Sequence, residues 1–237
     1  MMQQIYRHLA IHSKLPMKNA YQSGTTIMTD EECDPAGSQI IWTFDKHVII
    51  RTHPQFEAQF KALIEEGQAL SLAKIVENSD VTVEEQDNLY SITEADFIAH
   101  DSDYIIRQLT QDDAEAFARF QGKCSERDRQ YGEVGLNDEA IFSVLDGERI
   151  IAAASSFEWY GFVDIGVLTD PAYRGQGVGK AVVAAITTHY LQNKMDTRPL
   201  SYRHETSNIG SGKIAKAVGW QHFATLDFIR FKEIETT

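Results

Sequence analysis

The chain has 237 residues, 43% hydrophobic and 24% charged, with a formal net charge of −13. That length suits one large or two small domains, and that composition buries a real core, which excludes a disordered chain. So acidic a surface argues against nucleic acid as the main partner.

The first twelve residues read as a short helix, with no continuous apolar stretch of the kind a secretory leader carries. "SQIIWTFD" and "HVIIRT" read as two strands around Asp45-Lys46, a hairpin-like pair. In "HPQFEAQFKALIEE", Phe56, Phe60, Leu63 and Ile64 form the stripe of an amphipathic helix. A further helix is predicted over 68–77, and "VTVEE" and "NLYSIT" read as two short strands. The polar stretch "IAHDSDY" then marks a boundary, dividing the chain into an N-terminal α/β region of unassigned role, 1–101, and a second domain, 102–237. Acidity is uneven across it. Residues 1–101 hold 7 basic and 16 acidic side chains, net −9, and 102–237 hold 15 and 19, net −4. The second part is therefore the better host for an anion.

Beyond the boundary "YIIRQL" is a strand. "TQDDAEAFARF" begins a helix on a capping-box-like Thr110 and Asp113, and a second helix falls within 123–132. "AIFSVL" and "RIIAAASSF" flank Asp146-Gly147, a strong hairpin signal. "WYG" turns the chain into the strand "FVDIGVLT". A glycine-rich loop follows, then the helix "GVGKAVVAAITTHYLQ" with Val178, Val182, Ile186 and Tyr190 along one side. "PLSYRHET" is a strand. "SNIGSGKIAKAVG" is a helix capped by Ser207 or Asn208 and stopped by Gly219, and "HFATLDFIRF" is a last strand. The order β-α-α-β-β-β-α-β-α-β gives a mixed α/β fold, a mostly antiparallel central sheet flanked by helices.

The loop "DPAYRGQGVGK" invites a phosphate reading. It fails the dinucleotide pattern G-x-G-x-x-G, because neither Lys180 nor Val182 is glycine, and it fails the nucleotide-triphosphate pattern at Arg174 and Ala181. It does fit R-x-x-G-x-G through Arg174, Gly177 and Gly179. A strand-to-helix loop of that kind presents backbone N–H groups and a positive helix end to an anion. Downstream stand Asn208, Ser211 and Gly219-Trp220.

These paired motifs resemble the GNAT superfamily of acyl-CoA-dependent N-acetyltransferases, over roughly 102–237. The resemblance implies an α/β domain that moves an acetyl group from acetyl-CoA, a co-substrate, to a primary amine of a small molecule or peptide, without a metal. It implies that Val167, Leu168 and Thr169 pair with the pantetheine amides. It places the pyrophosphate on Gly175, Gln176, Gly177, Val178, Gly179 and Lys180, with Arg174 supporting the loop and Asn208 and Ser211 lining the groove. The family's usual acid, a tyrosine seven residues after the asparagine, is Ala215 here, and a usual base position is Arg203. The candidates for proton transfer are therefore Asp164, an acid inside an apolar strand, then Glu158 and His204, with Glu205, Tyr202 and Tyr160 behind them. Acceptor choice is expected from 121–138 and from the N-terminal region. With no run of about 18 apolar residues, and with Cys33 and Cys124 set in no disulfide or zinc pattern, a cytoplasmic protein without membrane contact is expected. A homodimer stays open. The competing reading is a non-catalytic acyl-CoA-binding or sensing protein on the same fold.

Overall fold

The computed structural model describes residues 2–12, 23–65, 68–100, 102–193 and 196–232. The far end of the helix predicted over 53–66 and the boundary residue 101 lie outside them. In chain order the elements are α1 (Met2–His12), β1 (Gly24–Thr29), β2 (Gln39–Thr43), β3 (His47–Thr52), α2 (Glu57–Leu63), α3 (Leu72–Asn78), β4 (Val81–Ser91) and β5 (Ile105–Gln108). They continue with α4 (Ala114–Gln121), α5 (Glu126–Gly132), β6 (Ala140–Asp146), β7 (Arg149–Trp159), β8 (Phe162–Thr169), α6 (Val178–Gln192), β9 (Leu200–Glu205), α7 (Ile209–Val218) and β10 (Gln221–Phe231).

The chain forms two compact units, residues 1–89 with 222–237, and residues 90–221. The division predicted at 101/102 thus falls inside the second unit. The reason is local: Ser91 Oγ donates to the Leu200 carbonyl at 2.8 Å and the Ile98 N–H to the Val218 carbonyl at 2.9 Å. These bonds tie 90–100 to the elements that follow. The last strand, β10, leaves that unit and pairs antiparallel with β2, Asp227 opposite Ile41.

In the first unit the strand order is β1-β3-β2-β10-β4. The predicted hairpin is β2 and β3, closed where the Phe44 N–H meets the His47 carbonyl at 2.9 Å. β1, which the sequence reading missed, runs parallel to β3 from Gly24↔His47 to Thr29↔Thr52. The two short strands predicted at 81–85 and 88–93 are one strand, β4, because its central polar groups are satisfied: Gln86 donates to Asp227 Oδ1 at 2.9 Å. Ile41, Ile50, Phe60, Ile75 and Ile229 make the core, and Phe56 stacks on Phe231 at 3.9 Å.

In the second unit the order is β9-β8-β7-β6-β5, antiparallel except for the parallel β8–β9 pair. The turns sit at positions of positive φ: Gly147 at 61° between β6 and β7, and Tyr160 at 47° with Gly161 at 78° between β7 and β8, where glycine adopts the conformation freely and Tyr160 is held in it by the turn. Two adjacent positive φ values suit a tight hairpin turn. Helices cover both faces. Val163 and Ile165 of β8 pack with Val178, Val182 and Ile186 of α6 and with Ala215 and Val218 of α7. Leu168 packs on the opposite face with Phe117 and Phe120 of α4. The alternation of β8 therefore sends Asp164, Gly166 and Leu168 toward the α4–α5 side.

Candidate functional site

The parallel pairing of β8 with β9 consists of Val163↔Leu200 and Asp164↔Ser201. Beyond it β8 stays paired with β7 as far as Thr169↔Ala152. Its other edge, from Ile165 onward, opens into a cavity of about 640 Å³. One wall is Ile165 to Thr169. The facing wall is Tyr202, Arg203 and Glu205 of β9 with the first turns of α7. The glycine loop closes one end and α5 covers the other side. A strand edge left unpaired over several residues offers backbone N–H and C=O groups that another amide-bearing chain can satisfy.

The loop is built by local rules. Asp170 accepts the Ala172 N–H at 2.9 Å, starting a short 3-10 turn over Pro171–Tyr173. Gly175 then takes φ 78° and Gly177 φ 84°, where a side chain would be strained although space around both is open. Gly177 is the N-cap of α6 and supplies no side-chain cap, so the first N–H groups of a 15-residue helix carry the partial positive end of its dipole toward the cavity. Arg174, Lys180 and Lys213 line the same region. Arg174 also pairs with Asp128 of α5 at 2.8 Å. Gly179 is glycine for a different reason: an added Cβ would meet Thr169 Oγ1 at 3.0 Å and Ile214 Cδ1 at 3.1 Å.

α5 is held by a capping box, Ser125 with Asp128, and the Ser125 hydroxyl is the main cause of Asp128's lowered pKa. The helix ends on Glu133 at φ 46°. Its C-terminal end lies so close to β8 that a Cβ on Gly166 would meet the Gly132 and Glu133 carbonyl oxygens at 2.3 and 2.5 Å.

At the point where β8 and β9 part sits Asp164, 2% exposed. Its Oδ1 accepts the Ser201 hydroxyl at 2.6 Å, and Oδ2 lies 3.5 Å from Arg203 Nε. Burial raises its pKa above the carboxylate norm, with Arg203 and Ser201 opposing that rise. Arg203 donates to Glu133 at 2.7 Å and lies 5.0 Å over the Trp159 ring. Arg127 pairs with Glu205 at 3.4 Å. The α5 side of the cavity is thus lined by acids each matched to an arginine.

Of the expected donor-side residues, Val167, Leu168, Thr169, Arg174, Gly175, Gly177, Val178, Gly179, Lys180, Asn208 and Ser211 line this one cavity. Gln176 does not; its amide turns back to the Ala172 carbonyl at 3.1 Å. Asn208 accepts the Ser211 N–H at 3.1 Å as the N-cap of α7. Of the proton-transfer candidates Asp164 lines the cavity, whereas Glu158 and His204 do not. Glu158 accepts the Gly161 N–H at 2.5 Å, fixing the β7–β8 turn. His204 points to the α7 face, stacked on Tyr90 at 5.4 Å, with Nδ1 2.7 Å from the Glu205 carbonyl. Arg203 and Glu133 entered the sequence reading only as a usual base position and as part of the segment 121–138; no periodicity signals that Arg203 links Glu133 to Asp164. Among the described residues no group of three or more His, Cys, Asp or Glu is placed to hold a metal, and no helix is long and apolar enough to cross a membrane. Cys124 is buried, which pushes its thiol up to about 11 and makes it a poor nucleophile.

Residues 105–219 match the model of the acetyltransferase (GNAT) family. No curated protein matches the chain. Among solved structures, the chain is similar to an acetyltransferase of the GNAT family from Colwellia psychrerythraea, with a TM-score of 0.53 and 18% identity over 77% of this chain and 76% of that one. A GCN5-related N-acetyltransferase from Kribbella flavida gives 0.50 and 17% over 73% and 67%. A conserved protein of unknown function from Staphylococcus epidermidis gives 0.52 and 11% over 93% and 99%. At these identities the likeness is one of fold.

Proposed function

We propose that the chain, whose residues 105–219 match the acetyltransferase (GNAT) family, is an N-acetyltransferase that transfers the acetyl group of acetyl-CoA to a primary amine of a small molecule or peptide. The observation that carries the reading is the cavity along the free edge of β8, closed at one end by an uncapped helix N-terminus with three cations and at the other by a buried carboxylate. The first end suits a pyrophosphate. The edge from Val167 to Thr169 suits the pantetheine amides. Asn208 and Ser211 flank the arm from the facing wall.

Asp164 is the general base in this account. An alkylamine with a pKa near ~10.4 is almost wholly protonated at neutral pH and must lose a proton before it attacks. Burial raises the pKa of Asp164, which brings a carboxylate nearer the range where it accepts a proton efficiently. The amine enters between α5 and β9 in this reading, and because Glu133 and Glu205 there are each paired with an arginine, its choice rests on shape and hydrogen bonding rather than on net charge. Thiol release from acetyl-CoA, followed over a panel of primary amines, tests the whole reading. Amine-dependent release is expected. Binding of CoA without release over that panel would instead favour an acyl-CoA sensor.

A further inference from the structure

Glu133 ends α5 in the left-handed region, at φ 46°. That position favours glycine, because a side chain there is strained. A glutamate held in it points to a task for its carboxylate. The carboxylate accepts Arg203 Nη2 at 2.7 Å, and the Arg203 guanidinium lies 5.0 Å over the Trp159 ring. The other side of the fork, Nε, lies 3.5 Å from Asp164 Oδ2. One arginine is thus shared unequally between two acids. It bonds fully to the half-exposed one and stands off from the buried one. At 3.5 Å it supplies charge to Oδ2 without filling that oxygen with a hydrogen bond. Oδ1 already accepts the Ser201 hydroxyl. The packed elements bring other charged or titratable groups to this region. β7 sets Phe157 opposite Asp164, and its Glu158 closes the next turn. On α5, Asp128 is held by Ser125 and Arg174, and Tyr131 carries Arg127 over its ring. On β9, Glu205 pairs with Arg127, while Tyr202 and His204 lie on the α7 side, where the Tyr202 hydroxyl feels the Asp164 charge.

Resting on the acetyl-CoA reading above and on Asp164 as its base, we propose that Arg203 is the positioning residue for that base, held off by Glu133 at a distance that keeps Asp164 charged and leaves Oδ2 open to the amine. Burial raises the Asp164 carboxyl, and Arg203, then Ser201, oppose the rise. Without the guanidinium, the buried carboxyl stays protonated further up the pH scale. Without Glu133, the fork closes on Oδ2 and caps the base. The residue has to be arginine to do this. A planar fork reaches both acids while its face rests on Trp159, whereas a lysine ammonium is a single point of charge.

The test uses the full chain with Arg203→Gln, Arg203→Lys, Glu133→Gln and, as reference, Asp164→Asn. The kcat/KM for a primary amine that supports thiol release is measured from pH 5 to 9.5 with acetyl-CoA, beside thermal melts. In Arg203→Gln a loss of ~10-fold or more is expected on the acid limb, the least that removing a partnered opposite charge does to a carboxyl. The rate then recovers toward the unmutated plateau as pH rises. Arg203→Lys keeps the charge and loses the fork, so its acid limb falls between the two. Glu133→Gln moves the limb the other way, to lower pH, with a lower plateau. An unmoved limb in Arg203→Gln overturns the proposal. So does a loss that is the same at every pH, which is what mere support of the fold would give, and so does a limb moved upward in Glu133→Gln. If Arg203→Gln melts below the assay temperature, the limbs of Arg203→Lys and Glu133→Gln decide by the same criteria. An acid limb that survives in Asp164→Asn shows that another group is the base, and overturns that reading and the proposal with it.

Discussion

Replacing Asp164 with asparagine removes one charge and almost no volume from the point where β8 and β9 part. Ser201 keeps an acceptor for the bond it now makes at 2.6 Å, and Arg203 keeps Glu133 at 2.7 Å. The fold should therefore survive. Activity should not. With an amine pKa near ~10.4, about one molecule in a thousand is free base near pH 7.4. A base that removes the proton inside the site is thus worth up to ~10³ in rate, within the usual range for such groups. The expected loss in kcat/KM is ~10²–10³-fold, shrinking as pH rises toward the amine's own pKa. In the unmutated chain the rate should rise with pH as Asp164 ionises, through a value displaced upward by burial. Stability carries the opposite sign. A carboxyl whose folded pKa is raised stabilises fully below its unfolded pKa near ~3.9, and that stability is lost as pH rises through the folded value. Asparagine has no such loss, so the melting temperature of Asp164→Asn relative to the unmutated chain should improve from acid to pH 8. Thiol release and thermal melts across pH read both effects. An unchanged rate in Asp164→Asn, or a stability difference moving the other way, would refute the assignment.

Gly166→Ala drives a Cβ against two backbone oxygens of α5 at 2.3 and 2.5 Å. A cost near 2–3 kcal/mol is expected, the upper part of the overpacking range, or a melting shift of ~4–12 °C for a chain of this size, and amine KM should worsen more than acetyl-CoA KM because α5 forms the amine's side of the cavity. Asn208→Ala removes the cap on the Ser211 N–H and should lower stability by about 1 kcal/mol. Asn208 flanks the pantetheine arm in this reading, so acetyl-CoA KM should also rise in steady-state kinetics. A stability loss with acetyl-CoA KM unchanged would leave it a cap alone.

Much of the second unit was legible from its residues. Asp146-Gly147 and "WYG" gave the two hairpins because their glycines, Gly147 and Gly161, accept positive φ, and Gly219 at φ 98° ended α7 as a left-handed stop should. Arg174, Gly177 and Gly179 identified the loop because a sharp strand-to-helix turn demands glycine whatever surrounds it. β1 was not legible: "GTTIMT" pairs with β3 alone and lacks the apolar alternation of a half-buried strand. β4 was split in the reading because Gln86, Asp87 and Asn88 resemble a turn; Asp227, 141 residues beyond Gln86 in sequence, accepts its amide and makes the stretch tolerable there. The pairing of β10 with β2 is likewise long-range and leaves no local mark. At the site, Asp164 announced itself as an acid in an apolar strand. Glu158, in the turn before that strand, was the weaker candidate, and the fold shows it closing that turn while Asp164 lines the cavity.

The proposed chemistry requires CoA to occupy the β8 edge with its pyrophosphate at the N-terminus of α6. Calorimetric titration of CoA into the unmutated chain and into Gly177→Glu tests this most directly. Saturable one-to-one binding is predicted, lost when a carboxylate is placed in the loop. Absence of binding at millimolar CoA, or binding undiminished in Gly177→Glu, would contradict it.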